Sequence, residues 1–298
     1  MPKLAQRVLL ILAVCWAATA PAAEIVRFPD YPDPNKRFFR TVLQLALDKS
    51  GHAYTLTAVT PQMLQGRSIA RTMAPGGDID VLWSMTTRER EALLLPVRLP
   101  LDKGLLGWRI AIVHQDKAEQ FAMVQSAQDL RYFTAGQEHD WPDSDILRSN
   151  GLPVMTASQY DSLFLMLARK RFDYFPRGVT EAWSEVDEHP ELPLAVDRHL
   201  VLYYPAAEYF FVTRSKPYLA EHIRQGLLRA QSDGSFDQLF HAHFDPLLQR
   251  AKLAERRAIE LSNPLLDAAS LPPAGPAWWY HPLPAAGKPP ASSKPAAN

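Results

Sequence analysis

The sequence predicts an α/β fold with parallel layering, on three observations. Strand-like and amphipathic helical segments alternate from residue 25 onward, turn and capping residues fall between them, and about 275 of the 298 residues follow a leader-like start, enough for two modest lobes or one large domain. Ile25 to Phe28 reads as a short strand, and Pro29 to Pro34 as a loop carrying Tyr31. From Asn35 to Ser50 the apolar residues Phe38, Phe39, Val42, Leu43, Ala46 and Leu47 trace one face of a helix, which Gly51 is placed to cap. Tyr54 to Thr57 alternates like a strand, and Thr60-Pro61 has the form of an N-cap opening a helix toward Arg71. Arg109 to Val113 is strand-like. A second α/β unit follows: a strand Tyr132 to Thr134, a loop Ala135 to Trp141, a helix capped by Asp143 or Ser144, a strand Pro153 to Met155, a helix Ser158 to Arg169 and a strand Phe172 to Phe175. Tyr209 to Val212, a helix Pro217 to Ala230, the turn Asp233-Gly-Ser-Phe236 and a charged helix Ala251 to Leu261 complete the ordered chain. From Leu271 Pro, Ala, Gly and Ser dominate, so residues 271–298 are expected to form a largely disordered tail, whereas Trp278, Trp279 and Tyr280 are expected to pack back on the body.

Lys3 and Arg7 precede an uncharged apolar run from Val8 to Ala20 and then small residues, the layout of a secretory signal peptide over residues 1–23, with cleavage after Ala22 or Ala23. The only cysteine, Cys15, lies in that run. The mature chain therefore has neither a disulfide framework nor a thiolate metal site, and it is expected free in the periplasm as a monomer. Losing Lys3 and Arg7 from 32 basic residues leaves 30 against 32 acidic ones, a balance that does not suit a nucleic-acid surface. Enzyme signatures are thin: there is no nucleophile elbow, no His-Glu-x-x-His and no phosphate-cradling glycine loop. His241 and His243, at i and i+2 on a helix, diverge and read as surface histidines. No metal and no cofactor are expected.

The most informative stretch is Trp83-Ser-Met-Thr-Thr-Arg-Glu-Arg-Glu91, entered from Asp78-Ile-Asp-Val-Leu82. A strand delivering a Thr-x-x-Arg loop into a helix gathers backbone N–H groups, hydroxyls and a guanidinium. Here the chain resembles the extracytoplasmic solute-binding proteins of family 3, of the type II periplasmic binding fold. The aromatic strand, long helix and Asp-Gly-x-aromatic turn near residue 236 resemble that family's closing pattern, so the likeness covers roughly residues 25–250. It implies two lobes, each a mostly parallel sheet flanked by helices, joined by two crossovers: residues 24–108 plus 207–262 form the first and 112–203 the second. It further implies capture of a small polar ligand between the lobes for an ABC-type importer. The alternatives are a sensor that partners a membrane signalling protein, or an enzyme of the same fold such as a dehydratase.

By the resemblance, Thr87 and Arg90 occupy the carboxylate-gripping positions, and loops at strand ends put Tyr31, Trp83, Trp141, Arg177 and Glu181 around the cleft. Two departures stand out. Trp83 and Met85 replace small or hydroxyl residues, and the position of the ammonium-holding acid, counted from Asp173, falls at Gly178 beside Arg177. If Arg90 and Arg177 both face the cleft, an anionic ligand is expected; the other reading pairs Arg177 with Glu181 at i+4.

Overall fold

The computed structural model describes residues 23–30, 35–61, 63–266, 270 and 277–280; the residues before 23, where a signal peptide is expected, Tyr31 and those beyond 280 lie outside them. Strand β1 (Glu24–Pro29) pairs in parallel with β2 (Tyr54–Val59). Helix α1 (Lys36–Asp48) connects them and buries the whole predicted stripe from Phe38 to Leu47. β1 also runs beside the entry to β3 (Val81–Met85), where Asp80 N–H donates to the Arg27 carbonyl at 2.8 Å and Arg27 N–H to the Asp80 carboxylate at 2.8 Å. β11 (Glu208–Val212) lies antiparallel between β3 and β4 (Leu95–Val97), with Phe210 opposite Trp83 and Val97. The helix expected from Thr60 begins only at Gln65 (α2, Gln65–Met73): Met63 N–H donates to the Asp30 carbonyl and Leu64, at the helix N-cap, is extended. Short α3 (Arg88–Leu93) follows β3. On the outer face α1 packs against α8 (Pro217–Ser232), so closely that a Cβ at Gly226 would fall 1.7 Å from the Ala46 carbonyl oxygen. Only glycine fits there.

The second lobe is built on β5 (Trp108–His114), buried along its entire length. Beside it, antiparallel, lies β8 (Tyr174–Gly178), then in parallel β6 (Ala135–Glu138) and β7 (Val154–Ala157). Strands β9 (Leu194–Val196) and β10 (Leu200–Tyr203) also pair antiparallel with β5. The sheets are thus mixed rather than mostly parallel, since returning strands insert between the parallel ones. Helices α4 (Ala127–Leu130), α5 (Pro142–Ser149), α6 (Tyr160–Ala168) and α7 (Ala182–Asp187) connect these strands. Two elements sit about three residues later than the sequence suggests. Tyr132 is exposed, and strand β6 begins at Ala135, opposite Val154 and Tyr174. Strand β8 runs on through Arg177, so Arg177 stands at a strand end and not at a helix start.

After α9 (Ser235–Ala251) the expected charged helix does not form. Lys252 adopts a left-handed conformation (φ 46°), Arg256 donates to the Ala251 carbonyl, and β12 (Arg257–Glu260) joins β10 in parallel at the edge of the second sheet. Residues 257–260 thus leave the first lobe, with which 207–262 were expected. The chain then returns. Leu261 N–H donates to the Tyr203 carbonyl, Ser262 is held from both sides by the Asn150 amide, Asn263 donates to the Pro205 carbonyl, and the Leu265 carbonyl accepts from Arg88 N–H on the first lobe at 3.1 Å. Trp278 packs on Phe236 and Tyr280 N–H bonds the Lys103 carbonyl, so the three aromatics lie against the first lobe. Among the described residues no helix is long and apolar enough to cross a membrane.

Candidate ligand-binding cleft

A cavity opens between the lobes, where the C-terminal ends of β3, β6 and β8 meet the crossover into β5. From the first lobe come Phe39, Trp83 and Met85; Trp83 is nearly fully buried and packs against Phe28 and Phe39 at ring distances of 6.1 and 5.8 Å. The lobes are bonded directly to one another on either side: Asn35 Nδ2 donates to Thr180 Oγ1 at 3.0 Å, and Arg90 Nη2 to the Asp140 carbonyl at 3.2 Å.

The second wall is charged. Arg177 donates to both Glu185 oxygens through Nε at 2.8 Å and through Nη2 at 2.6 Å, and Glu181 stands 3.2 Å away. Its guanidinium lies over Trp141 at 4.4 Å, with Phe175 and Tyr160 at 5.1 and 5.7 Å, a cation in an aromatic box. Burial works against that charge, but Glu181 and Glu185 hold it firmly protonated. Burial also raises the Glu185 carboxyl, Arg177 opposing, and Tyr160 Oη donates to Glu185 at 2.5 Å. Arg177 pairs with Glu181 as one reading of the sequence held, though across a turn rather than along a helix, and Glu185 is the closer partner.

A second buried cation, Arg109, sits at the start of β5 next to Gly178 on β8. It meets Asp143 at 2.8 Å and donates to Tyr204 Oη at 2.9 Å; the Tyr204 hydroxyl in turn donates to Asp143. Asp102, on the crossover, accepts from Gly104 and Leu106 N–H groups, yet burial pushes its carboxyl up to about 6. Glu138, at the end of β6, is 1% exposed, and burial and then Asp140 raise its carboxyl. His139 Nδ1 lies 2.8 Å from Glu138 Oε1 and pairs with it.

Of the residues singled out from sequence, Trp83, Trp141, Arg177 and Glu181 line this cavity. Thr87 and Arg90 line a neighbouring crevice instead. Thr87 caps α3 by accepting from Arg90 N–H at 3.1 Å, and Arg90 donates to Ser84 Oγ and the Met85 carbonyl as well as across to Asp140. Tyr31 lies outside the described residues. Gly178, the position where the resemblance puts an acid, donates its N–H to Glu181 Oε2, and a Cβ there would fall 2.7 Å from that oxygen; a carboxylate reaches the position after all, three residues later in the chain. Arg109, Asp143, Glu138 and Glu185 were not among the site residues singled out from sequence. The signal for Arg109 was a lone charge inside Trp108-Arg-Ile-Ala-Ile-Val113, where a buried strand tolerates one only if it is paired. Glu138, His139 and Asp140 lie close enough to hold a metal ion, but each ring nitrogen of His139 already faces a carboxylate, which an ion pair explains fully.

Two mixed-sheet lobes meet at a polar cleft at their strand ends, the place where open α/β sheets put ligand sites. No family model and no curated protein matches the sequence. Among solved structures it is similar to an ancestral arginine-binding protein bound to arginine (16% identity, TM-score 0.57, covering 74% of this chain and 98% of the other). It is also similar to the substrate-binding protein of an amino acid ABC transporter (13%, 0.54, 74% and 99%) and to a double mutant of the VFT2 domain of Bordetella pertussis BvgS (19%, 0.57, 74% and 93%). The chain has the two-lobe type II periplasmic binding fold.

Proposed function

We propose that this protein is a divergent family 3 solute-binding protein of the periplasm, which takes a small polar molecule into the cleft between its lobes and closes on it without catalysing its conversion. The observation that carries this reading is the cavity itself: it is walled by both lobes, at strand ends, with a few fixed charged groups on an aromatic surface. The neighbour described as part of an amino acid ABC transporter supports delivery to an importer; the BvgS domain supports the alternative of a ligand sensor docked on a membrane signalling protein. The expected anionic ligand loses support, because Arg177 is paired with Glu185 and Glu181 through Nε and Nη2 and Arg90 lines a neighbouring crevice.

Thermal-shift screening of the mature protein against amino acids, amines, carboxylates, phosphorylated compounds and peptides, with scattering to read lobe closure, tests the role. A hit that raises the melting temperature and compacts the protein is expected. Conversion of the hit on incubation, read by mass spectrometry, speaks for an enzyme instead. Permease and ATPase genes beside its own favour import, and a histidine kinase gene favours sensing.

A further inference from the structure

We propose that Trp278-Trp279-Tyr280 is a clamp on the hinge: it holds the first crossover in the turn that brings Asp102 to the cleft, so a segment near the end of the chain shapes the ligand site. The clamp serves the solute-binding role proposed above, but its contacts stand apart from that role.

Three observations converge on it. First, the crossover before β5 turns through two successive left-handed residues, Lys103 (φ 51°) and Gly104 (φ 78°). Glycine adopts that conformation freely, whereas lysine does so at a cost and keeps it only where its surroundings fix it. Lys103 is fixed from two directions. Its buried side chain lies over Phe240 at 5.0 Å and Phe236 at 5.8 Å and donates to Asp237 at 2.7 Å, and its carbonyl accepts from Tyr280 N–H at 2.8 Å. Second, the six-membered ring of Trp279 lies directly on Gly104, where an added Cβ would collide with its Cε3 and Cζ3. Its two neighbours anchor that ring: Trp278 packs on Phe236 at 5.5 Å and Tyr280 on Phe240 at 5.8 Å. Third, the turn so held carries a cleft residue. The Gly104 and Leu106 N–H groups donate to Asp102 at 3.0 and 2.6 Å, and Asp102 and Leu106 both line the cavity. The other ionisable groups around Asp102 are Arg109 of β5 and, on the same cavity wall, Glu208 of β11, while Lys103 turns away to α9. The two crossovers also touch. Tyr204 N–H donates to the Gly107 carbonyl at 3.2 Å, and a Cβ at Gly107 would collide with the Tyr204 carbonyl oxygen. A shift of the first crossover therefore reaches the second, and with it Arg109, which donates to the Tyr204 hydroxyl.

The test compares the full mature chain with its Trp279→Ala variant by amide hydrogen exchange and by urea unfolding between pH 4 and 7, neither of which needs a solute. Removing the ring should speed exchange of the Gly104 and Leu106 amides about tenfold, while amides in α1 and β1 keep their wild-type rates. Water then reaches Asp102, its carboxyl moves back from about 6 toward 3.8, and the fall in stability between pH 4 and 7 flattens. Trp279→Phe, which returns a ring to Gly104, should recover part of both effects. Unchanged exchange at the crossover, acceleration spread equally over α1 and β1, or an unaltered pH profile each overturns the proposal. Tyr280→Pro deletes the single donor to the Lys103 carbonyl and should give the same selective pattern at smaller size; it decides the matter if Trp279→Ala fails to fold. With no solute in either measurement, failure of the clamp leaves the solute-binding role standing, and a ligand screen without hits leaves the clamp standing.

Discussion

Around Phe39, Trp83 and Met85 the first lobe presents an apolar wall to the cleft, with Asp102 and Glu208 where the chain crosses between lobes, whereas the second presents Glu138, Arg177 and Glu181 with Glu185 buried behind them. The apolar wall gains stability from packing and needs no partner. The charged wall is stable only as a set, because each buried ion depends on its neighbour and loses more when one member goes than the pair contributes when complete. Evolution can resize the first wall one side chain at a time, but must change the second in pairs.

The largest effect that bears on this contrast is expected from Glu185→Ala, which strands Arg177 in its aromatic box. It should destabilise the protein by about 3–5 kcal/mol in denaturant unfolding, whereas Arg177→Met combined with Glu185→Leu should come within about 1 kcal/mol of the wild type. A single variant that is nearly neutral would break the contrast. Next is Asp102. Its folded carboxyl is raised from 3.8 to about 6, so the folded chain holds this proton more tightly than the unfolded one. The stabilisation from protonation is complete below pH 3.8 and is lost as pH rises through about 6, a change of about 3 kcal/mol. Stability measured between pH 4 and 7 should therefore fall more steeply for the wild type than for Asp102→Asn; parallel profiles would show that burial does not perturb the group. The smallest effect belongs to Thr87→Ala, which removes the α3 cap at a cost of about 1 kcal/mol, or about 2–4 °C in melting temperature. A loss several times larger would mean that Thr87 also steadies Arg90 and the bond between the lobes.

How far these walls could be read in advance follows from sequence separation. The α1 stripe and the turn at Gly234 are local patterns, and both appear where periodicity and turn chemistry put them. Trp83, Trp141, Arg177 and Glu181 abut strand ends, and a strand-end loop faces the cleft in any such fold. The partners of Arg109 were beyond reach. Arg109 meets Tyr204 across 95 residues, and nothing in either neighbourhood names the other. Strand β12 was missed for a related reason: four residues, Arg257-Ala-Ile-Glu260, are too few to show a period of two beside a charged helical run, and only the open edge of β10 makes them a strand.

That late strand changes how the lobes can move. Between Leu261, tied to β10, and Leu265, tied to Arg88, the backbone advances four residues and spans at most about 14 Å. The segment is a leash laid beside the hinge, and any wider gape has to break a hydrogen bond at one end of it. On the proposed solute-binding role, a leashed jaw samples fewer open arrangements, so closing forfeits less conformational freedom and more of the contact energy with the solute becomes affinity. Lengthening the leash by eight Gly/Ser residues after Leu261 adds roughly 15 Å of slack, and the same cleft, with every side chain unchanged, should then hold its solute more weakly.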